Sequence, residues 1–82
     1  MRVVLKAKVT ERGEACYGTW DEETRVIEID STPPLEHQWR VLYHELTHVA
    51  FTDSGLDEMM TAEALEAACD ANATARMRER FG

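Results

Sequence analysis

The sequence predicts an α+β domain in which three short strands are followed by two long helices. Three observations predict it. Apolar and polar residues alternate along much of Arg2–Val9 and along Arg25–Asp30, the period of a strand with one wet face. From Pro34 onward the apolar residues recur at steps of three and four, the period of a helix. Turn-forming residues cluster between these stretches, at Thr10–Glu14, Asp21–Thr24 and Ser31–Pro34.

The first strand is Arg2–Val9, with Val4 and Lys6 on one face and Leu5, Ala7 and Val9 on the other. A turn containing Gly13 leads to a second strand, Ala15–Trp20, bent or broken at Gly18. The third strand, Arg25–Asp30, sets Val26 opposite Ile27 and Ile29. Short turns between all three predict an antiparallel meander. Ser31 or Thr32 can cap the first helix, and proline is tolerated in its first turn because that N–H has no helical partner. This helix is expected from Pro34 to Phe51, burying Trp39, Leu42, Leu46 and Val49, and ending at Asp53-Ser54-Gly55. The second is expected from Asp57 to Arg80. Acidic residues crowd its start and Arg76, Arg78 and Arg80 its end, which suits the helix dipole.

A chain of 82 residues corresponds to one domain, residues 1–82. Its core should contribute only about 3–5 kcal/mol, so a bound metal would be a useful staple. The formal net charge of -7 argues against nucleic-acid binding, which needs a basic surface, and against anionic lipid. No apolar run approaches the roughly 20 residues of a membrane span, and Lys6 and Lys8 interrupt any signal-peptide core. A cytoplasmic location is therefore expected. Cys16 and Cys69 lie far apart in no ligand spacing and are read as small apolar core residues.

The first helix carries His44-Glu45-Leu46-Thr47-His48. Residues four apart share a helix face, with a rise of about 6 Å between them. Two imidazoles so placed can converge on one zinc ion. Glu45 lies about 100° further round the helix, beside the metal, where it can take a proton from the water that the metal activates. A catalytic zinc wants a third protein ligand and an open position. Acidic candidates on the second helix are Glu63, Glu66 and Asp70, on one stripe with Met59, Ala73 and Met77. An acid in an apolar stripe needs a partner, and a metal is one. Glu66 is the more central glutamate once Ala62 and Cys69 are counted into the apolar face, with Glu63 the alternative.

His44-Glu45-x-x-His48, with a glutamate 18 residues beyond His48, resembles the gluzincin pattern of zinc peptidases. Glu66-Ala67-Ala68-Cys69-Asp70 matches the spacing at which that group places an Asp that orients a ligand histidine. The chain is also similar to short phage and prophage metallopeptidase-like proteins of the ImmA/IrrE type. That similarity runs from Tyr17-Gly18 through Arg25–Asp30 and Pro33-Pro34 to the motif, then through Gly55-Leu56 to Glu66-Ala67. The resemblance implies a minimal zincin-like fold. It also implies zinc on His44, His48 and Glu66, Glu45 as general base and Asp70 supporting a ligand histidine. No residue is matched to the tyrosine or histidine with which larger gluzincins stabilise the oxyanion, and the domain that walls their cleft has no counterpart.

The activity expected is hydrolysis of a peptide or protein substrate by water activated on zinc. An exposed sheet edge could align an extended peptide. Two other readings remain open: a binding or regulatory module in which zinc is a staple, and a metal hydrolase acting on a small substrate. His37, about 10 Å along the axis from His44, is too far to share its ion. Tyr17 and Tyr43 could polarise a carbonyl but carry no assignment, and Trp20 and Trp39 are read as core anchors.

Overall fold

The computed structural model describes residues 1–82. Five strands precede the helices: β1 (Arg2–Lys6), β2 (Val9–Glu11), β3 (Glu14–Cys16), β4 (Gly18–Asp21) and β5 (Val26–Asp30). Helix α1 spans Leu35–Ser54 and helix α2 spans Ala62–Phe81, with a 3₁₀ turn at Leu56–Met59 between them. The α+β class is as expected, but the sheet is mixed rather than an antiparallel meander. Its order is β1-β5-β4, with β1 parallel to β5 and β4 antiparallel to it.

The difference has a local cause. The expected first strand stops at Lys6, and Val9–Glu11 turns away to form a separate hairpin with Glu14–Cys16. Arg12 and Gly13 at its tip have φ of 53° and 81°, the left-handed pair that two-residue hairpin turns require. This hairpin occupies the connection that a meander would have used to bring β1 beside β4. The expected second strand is divided into β3 and β4 on either side of Tyr17. The chain then reverses through Asp21–Arg25, where the Asp21 carboxylate accepts from the Glu23 and Thr24 amides at 2.9 and 3.3 Å. Arg25 leaves that turn at φ 57° and forks onto Asp53 at 2.8 and 2.9 Å, tying the turn to the end of α1.

The alternation in β5 is realised as predicted. Ile27 and Ile29 are buried and pack with Val49 of α1, and Trp20, Val41, Leu42 and Leu46 surround them. The inner side of β1 is less covered, leaving Val3 and Leu5 exposed near Leu35 and Trp39. Helix α1 starts without a side-chain cap, since neither Ser31 nor Thr32 reaches it. It continues one turn past Phe51 and ends at Gly55, whose φ of 77° is the left-handed cap conformation. Helix α2 starts later than Asp57 because Thr61 is its cap, accepting from the Ala64 amide at 3.1 Å. Met59, expected on the buried stripe, is exposed in the preceding turn.

The two helices form an antiparallel pair. Arg80 lies over the Trp39 ring at 3.7 Å, and His48 meets Glu66 at the other end. Small and unbranched residues on the buried face of α2, namely Cys69, Ala73 and Met77, admit this close approach. The register is fixed by polar contacts. Asn72 donates to the Thr47 hydroxyl at 2.7 Å, and that hydroxyl donates to the Tyr43 carbonyl at 2.8 Å. Arg40 donates to the Thr74 hydroxyl at 3.2 Å. This register sets α2 so that Glu66 and Asp70 face the motif histidines. Neither helix is long and apolar enough to cross a membrane.

Candidate metal centre

His44 and His48 project from α1 with ring centroids 5.0 Å apart. Glu66 of α2 meets both: one carboxylate oxygen is 3.1 Å from His44 Nε2 and the other 2.8 Å from His48 Nε2. Asp70, one turn further along α2, lies 2.8 Å from His44 Nδ1. The residues singled out from the sequence are thus brought together, whereas Glu63 enters no ion pair with either histidine. Asp70 does not share the Nε2 position; it contacts the far nitrogen of a ring that also touches Glu66.

The chemistry of this set fits a cation. A neutral His44 that donates its Nδ1 proton to Asp70 has only a lone pair at Nε2. That lone pair faces a Glu66 carboxylate oxygen, which is also an acceptor. Two acceptors at 3.1 Å need a second ring proton or a cation between them. Glu11, Glu45, Glu66 and Asp70 line the surrounding cleft, with Arg40 as its one lysine or arginine. A divalent ion held by His44 Nε2, His48 Nε2 and Glu66 would remove the conflict. The Asp70 contact would then orient the ligand ring, as carboxylates behind ligand histidines do.

Glu45 lies on the neighbouring strip of α1, buried at 8% exposure beneath β4. Its burial pushes the carboxyl above the ordinary glutamate range, and the positive charge available to His48 and His44 works against that rise. Gly18 explains how β4 comes so close. A Cβ there would lie 2.5 Å from Val41 Cγ1 and 3.5 Å from Glu45 Cγ, so any side chain would push the strand off the motif helix.

The cleft above these residues has a volume of about 450 Å³. Tyr17, Gly18, Thr19 and Trp20 form one wall and the motif helix the floor. Strand β4 is hydrogen-bonded to β5 alone, so it is the sheet edge on this side. Tyr17 stands at the mouth, exposed, with its ring 4.5 Å from that of His37. Tyr43 instead packs on Trp39, with 5.8 Å between centroids. The Trp20 indole N–H is buried without a partner, a cost of about 1–3 kcal/mol.

Sequence reasoning missed one neighbour of the centre. Cys69 has its sulfur within 4.8 Å of ligating atoms on both His44 and His48, and it is fully buried. Burial, then the Glu66, Glu45 and Asp70 carboxylates, push its thiol up to about 11. Its position three residues after Glu66 was the available signal, because residues three apart share a helix face. Cys16, the other cysteine, is half-buried and unpaired.

The motif helix, the antiparallel helix bearing Glu66 and Asp70, and the strand edge above them give the layout of a metallopeptidase-like domain. Residues 3–82 match the family model Peptidase_M78, described as the IrrE N-terminal-like domain, and the chain belongs to that family. Searches of curated proteins and of solved structures return no match.

Proposed function

We propose that this chain is a zinc-dependent metallopeptidase in which His44, His48 and Glu66 hold the ion and Glu45 is the general base. The observation that carries this reading is the convergence of two imidazole nitrogens on one carboxylate, at 3.1 and 2.8 Å, beside a buried glutamate. Two nitrogens and an oxygen suit zinc, and the set leaves one side facing the cleft. When bound there, zinc would act as a Lewis acid toward the scissile carbonyl and would acidify water.

The chain's own residues supply the rest. Asp70 accepts the Nδ1 proton of His44 and keeps Nε2 free for coordination. Glu45, whose carboxyl is pushed above the ordinary glutamate range by burial, takes a proton from the attacking water and returns it to the leaving amine. Strand β4 offers unpaired backbone groups along the cleft wall, and an extended peptide can add to that edge as a further strand. Tyr17 supplies a phenol at the cleft mouth that can donate to the substrate carbonyl. The membership of the chain in a peptidase family supports peptide substrates over small-molecule ones.

Metal analysis combined with a peptide-library digest tests this reading. Purified protein should hold about one equivalent of zinc and cleave peptides, with cleavage abolished by chelation and restored by zinc. Peptide cleavage unaffected by complete metal removal would overturn it. A second reading, a zinc-stapled module without hydrolytic activity, is favoured by one observation, the Cys69 sulfur behind the two histidines.

A further inference from the structure

The centre has donors on two sides. Glu66 approaches His44 and His48 from the cleft, with more than half of its side chain exposed. Cys69 approaches the same pair from the interior, where its thiol enters no hydrogen bond and has no exposed surface. Both residues sit on one face of α2, three positions apart, so a single helix presents a hard oxygen outside and a soft sulfur inside. Donors around a tetrahedral zinc are separated by roughly 3.3–3.6 Å, given bonds of about 2.0–2.3 Å. The Cys69 sulfur lies within 4.8 Å of one nitrogen of each imidazole, so an approach of at most about 1.2–1.5 Å would bring it to bonding separation.

We propose that Cys69 is an internal, displaceable fourth ligand, so that the metal site rests in a closed His44–His48–Glu66–Cys69 form and opens when a substrate group binding from the cleft side drives the sulfur off the ion. This rests on the peptidase reading and adds its regulation. A site with four protein ligands is closed in the manner of structural zinc, and only the three-ligand form leaves a position for chemistry. On closure the Cys69 S–H bond breaks, its proton passes to solvent and the thiolate coordinates the ion. On opening the thiolate leaves the ion and takes up a proton again. The closed form would keep a shallow, solvent-facing cleft from hydrolysing peptides indiscriminately.

Cobalt(II) replaces zinc as the probe, and the near-ultraviolet thiolate-to-cobalt charge-transfer band is the readout. The wild type with one equivalent of cobalt should show that band. Cys69→Ala and Cys69→Ser should bind cobalt without it, and their zinc affinity should fall by ~10-fold or more. Acetohydroxamate, a small chelating mimic of the substrate carbonyl, should bleach the wild-type band on saturation. Stoichiometric cobalt binding that requires His44 and His48 but shows no sulfur band would overturn the proposal and leave the peptidase reading intact. A band that persists at saturating acetohydroxamate would overturn displaceability and make the cysteine a permanent staple. Cobalt binding indifferent to His44→Ala and His48→Ala would overturn both readings. Cadmium-113 resonance of the wild type, in the sulfur-ligated or the nitrogen–oxygen range, gives the same discrimination without any variant.

Discussion

Replacing Gly18 by alanine perturbs the closest contact between the sheet and the motif helix. The added Cβ would sit 2.5 Å from Val41 Cγ1, against about 3.5–4.0 Å for unstrained carbon contacts, so roughly 1 Å must be found. Val41 cannot swing away at low cost, because a β-branched residue in a helix has one strongly preferred rotamer. The Glu28 carbonyl oxygen, 3.3 Å from the new carbon, resists movement the other way. Overpacking of this kind costs about 1–3 kcal/mol. For a domain of this size that is a fall in Tm of roughly 5–20 °C. Strand β4 would move outward from Glu45, and a displacement near 1 Å can cost on the order of 10²-fold in rate. Thermal unfolding in chelator isolates the packing effect, and peptide cleavage with zinc reads the catalytic one. Val41→Ala removes the obstructing methyl, so in that background Gly18→Ala should lose most of its stability cost. Additivity of the two substitutions within about 0.5 kcal/mol would refute the contact as the origin of the effect.

Further outcomes follow from the same geometry. Glu66→Ala should weaken zinc binding far more than Glu63→Ala, and isothermal titration giving the reverse order would move the third ligand to Glu63. Chelation should lower the melting temperature by roughly 15–30 °C relative to zinc at a thousandfold excess over Kd, where linkage contributes about 4 kcal/mol. An unchanged melting curve after confirmed metal loss would show that the small core stands alone. In the metal-free protein the raised Glu45 carboxyl implies that the fold binds this proton more tightly than the unfolded chain does. Its contribution is therefore fully present below the ordinary glutamate pKa and is lost as pH rises through the folded value. Metal-free Glu45→Gln should melt above metal-free wild type at neutral pH and match it in acid. A lower melting temperature at neutral pH would show that the Glu45 carboxylate is stabilised where it sits.

The site was more legible in the sequence than the sheet that covers it. Helical spacing fixes relative position within one element, so His44, Glu45 and His48 could be placed on α1 before any tertiary structure was known. Glu66 is legible from its central place on the apolar stripe, with Glu63 left as the alternative, and the role of Asp70 comes only from the gluzincin-like spacing; the fold sets both carboxylates against His44. Strand pairing is not a local property. The patterning of Arg2–Val9, alternating from Val4 onward, and of Arg25–Asp30 pointed to strands where β1 and β5 lie but carried no information that they would pair in parallel. The hairpin at Arg12-Gly13 separates them, and nothing in an Arg-Gly turn distinguishes a meander from a detour. Cys69 is buried as its small apolar character predicts, but burial alone carries no sign of its nearness to the imidazoles, which depends on how α2 packs on α1. The break expected at Gly18 is found, with β3 ending at Cys16 and β4 starting at Gly18, while the close approach of Gly18 to Val41 and Glu45 is a tertiary contact that no local pattern carries.

The account turns on Glu45 acting as a base rather than as a ligand or a packing residue, and one variant tests this most directly. Glu45→Gln keeps the shape of the side chain and removes its ability to take a proton. Zinc content and cleavage rate should be measured on the same preparation. The account predicts one equivalent of zinc in the variant, as in wild type, and a cleavage rate lower by a factor of about 10² to 10⁴. Full zinc occupancy with peptide cleavage undiminished would contradict it, since no other carboxylate lies buried beside the His44–His48 pair.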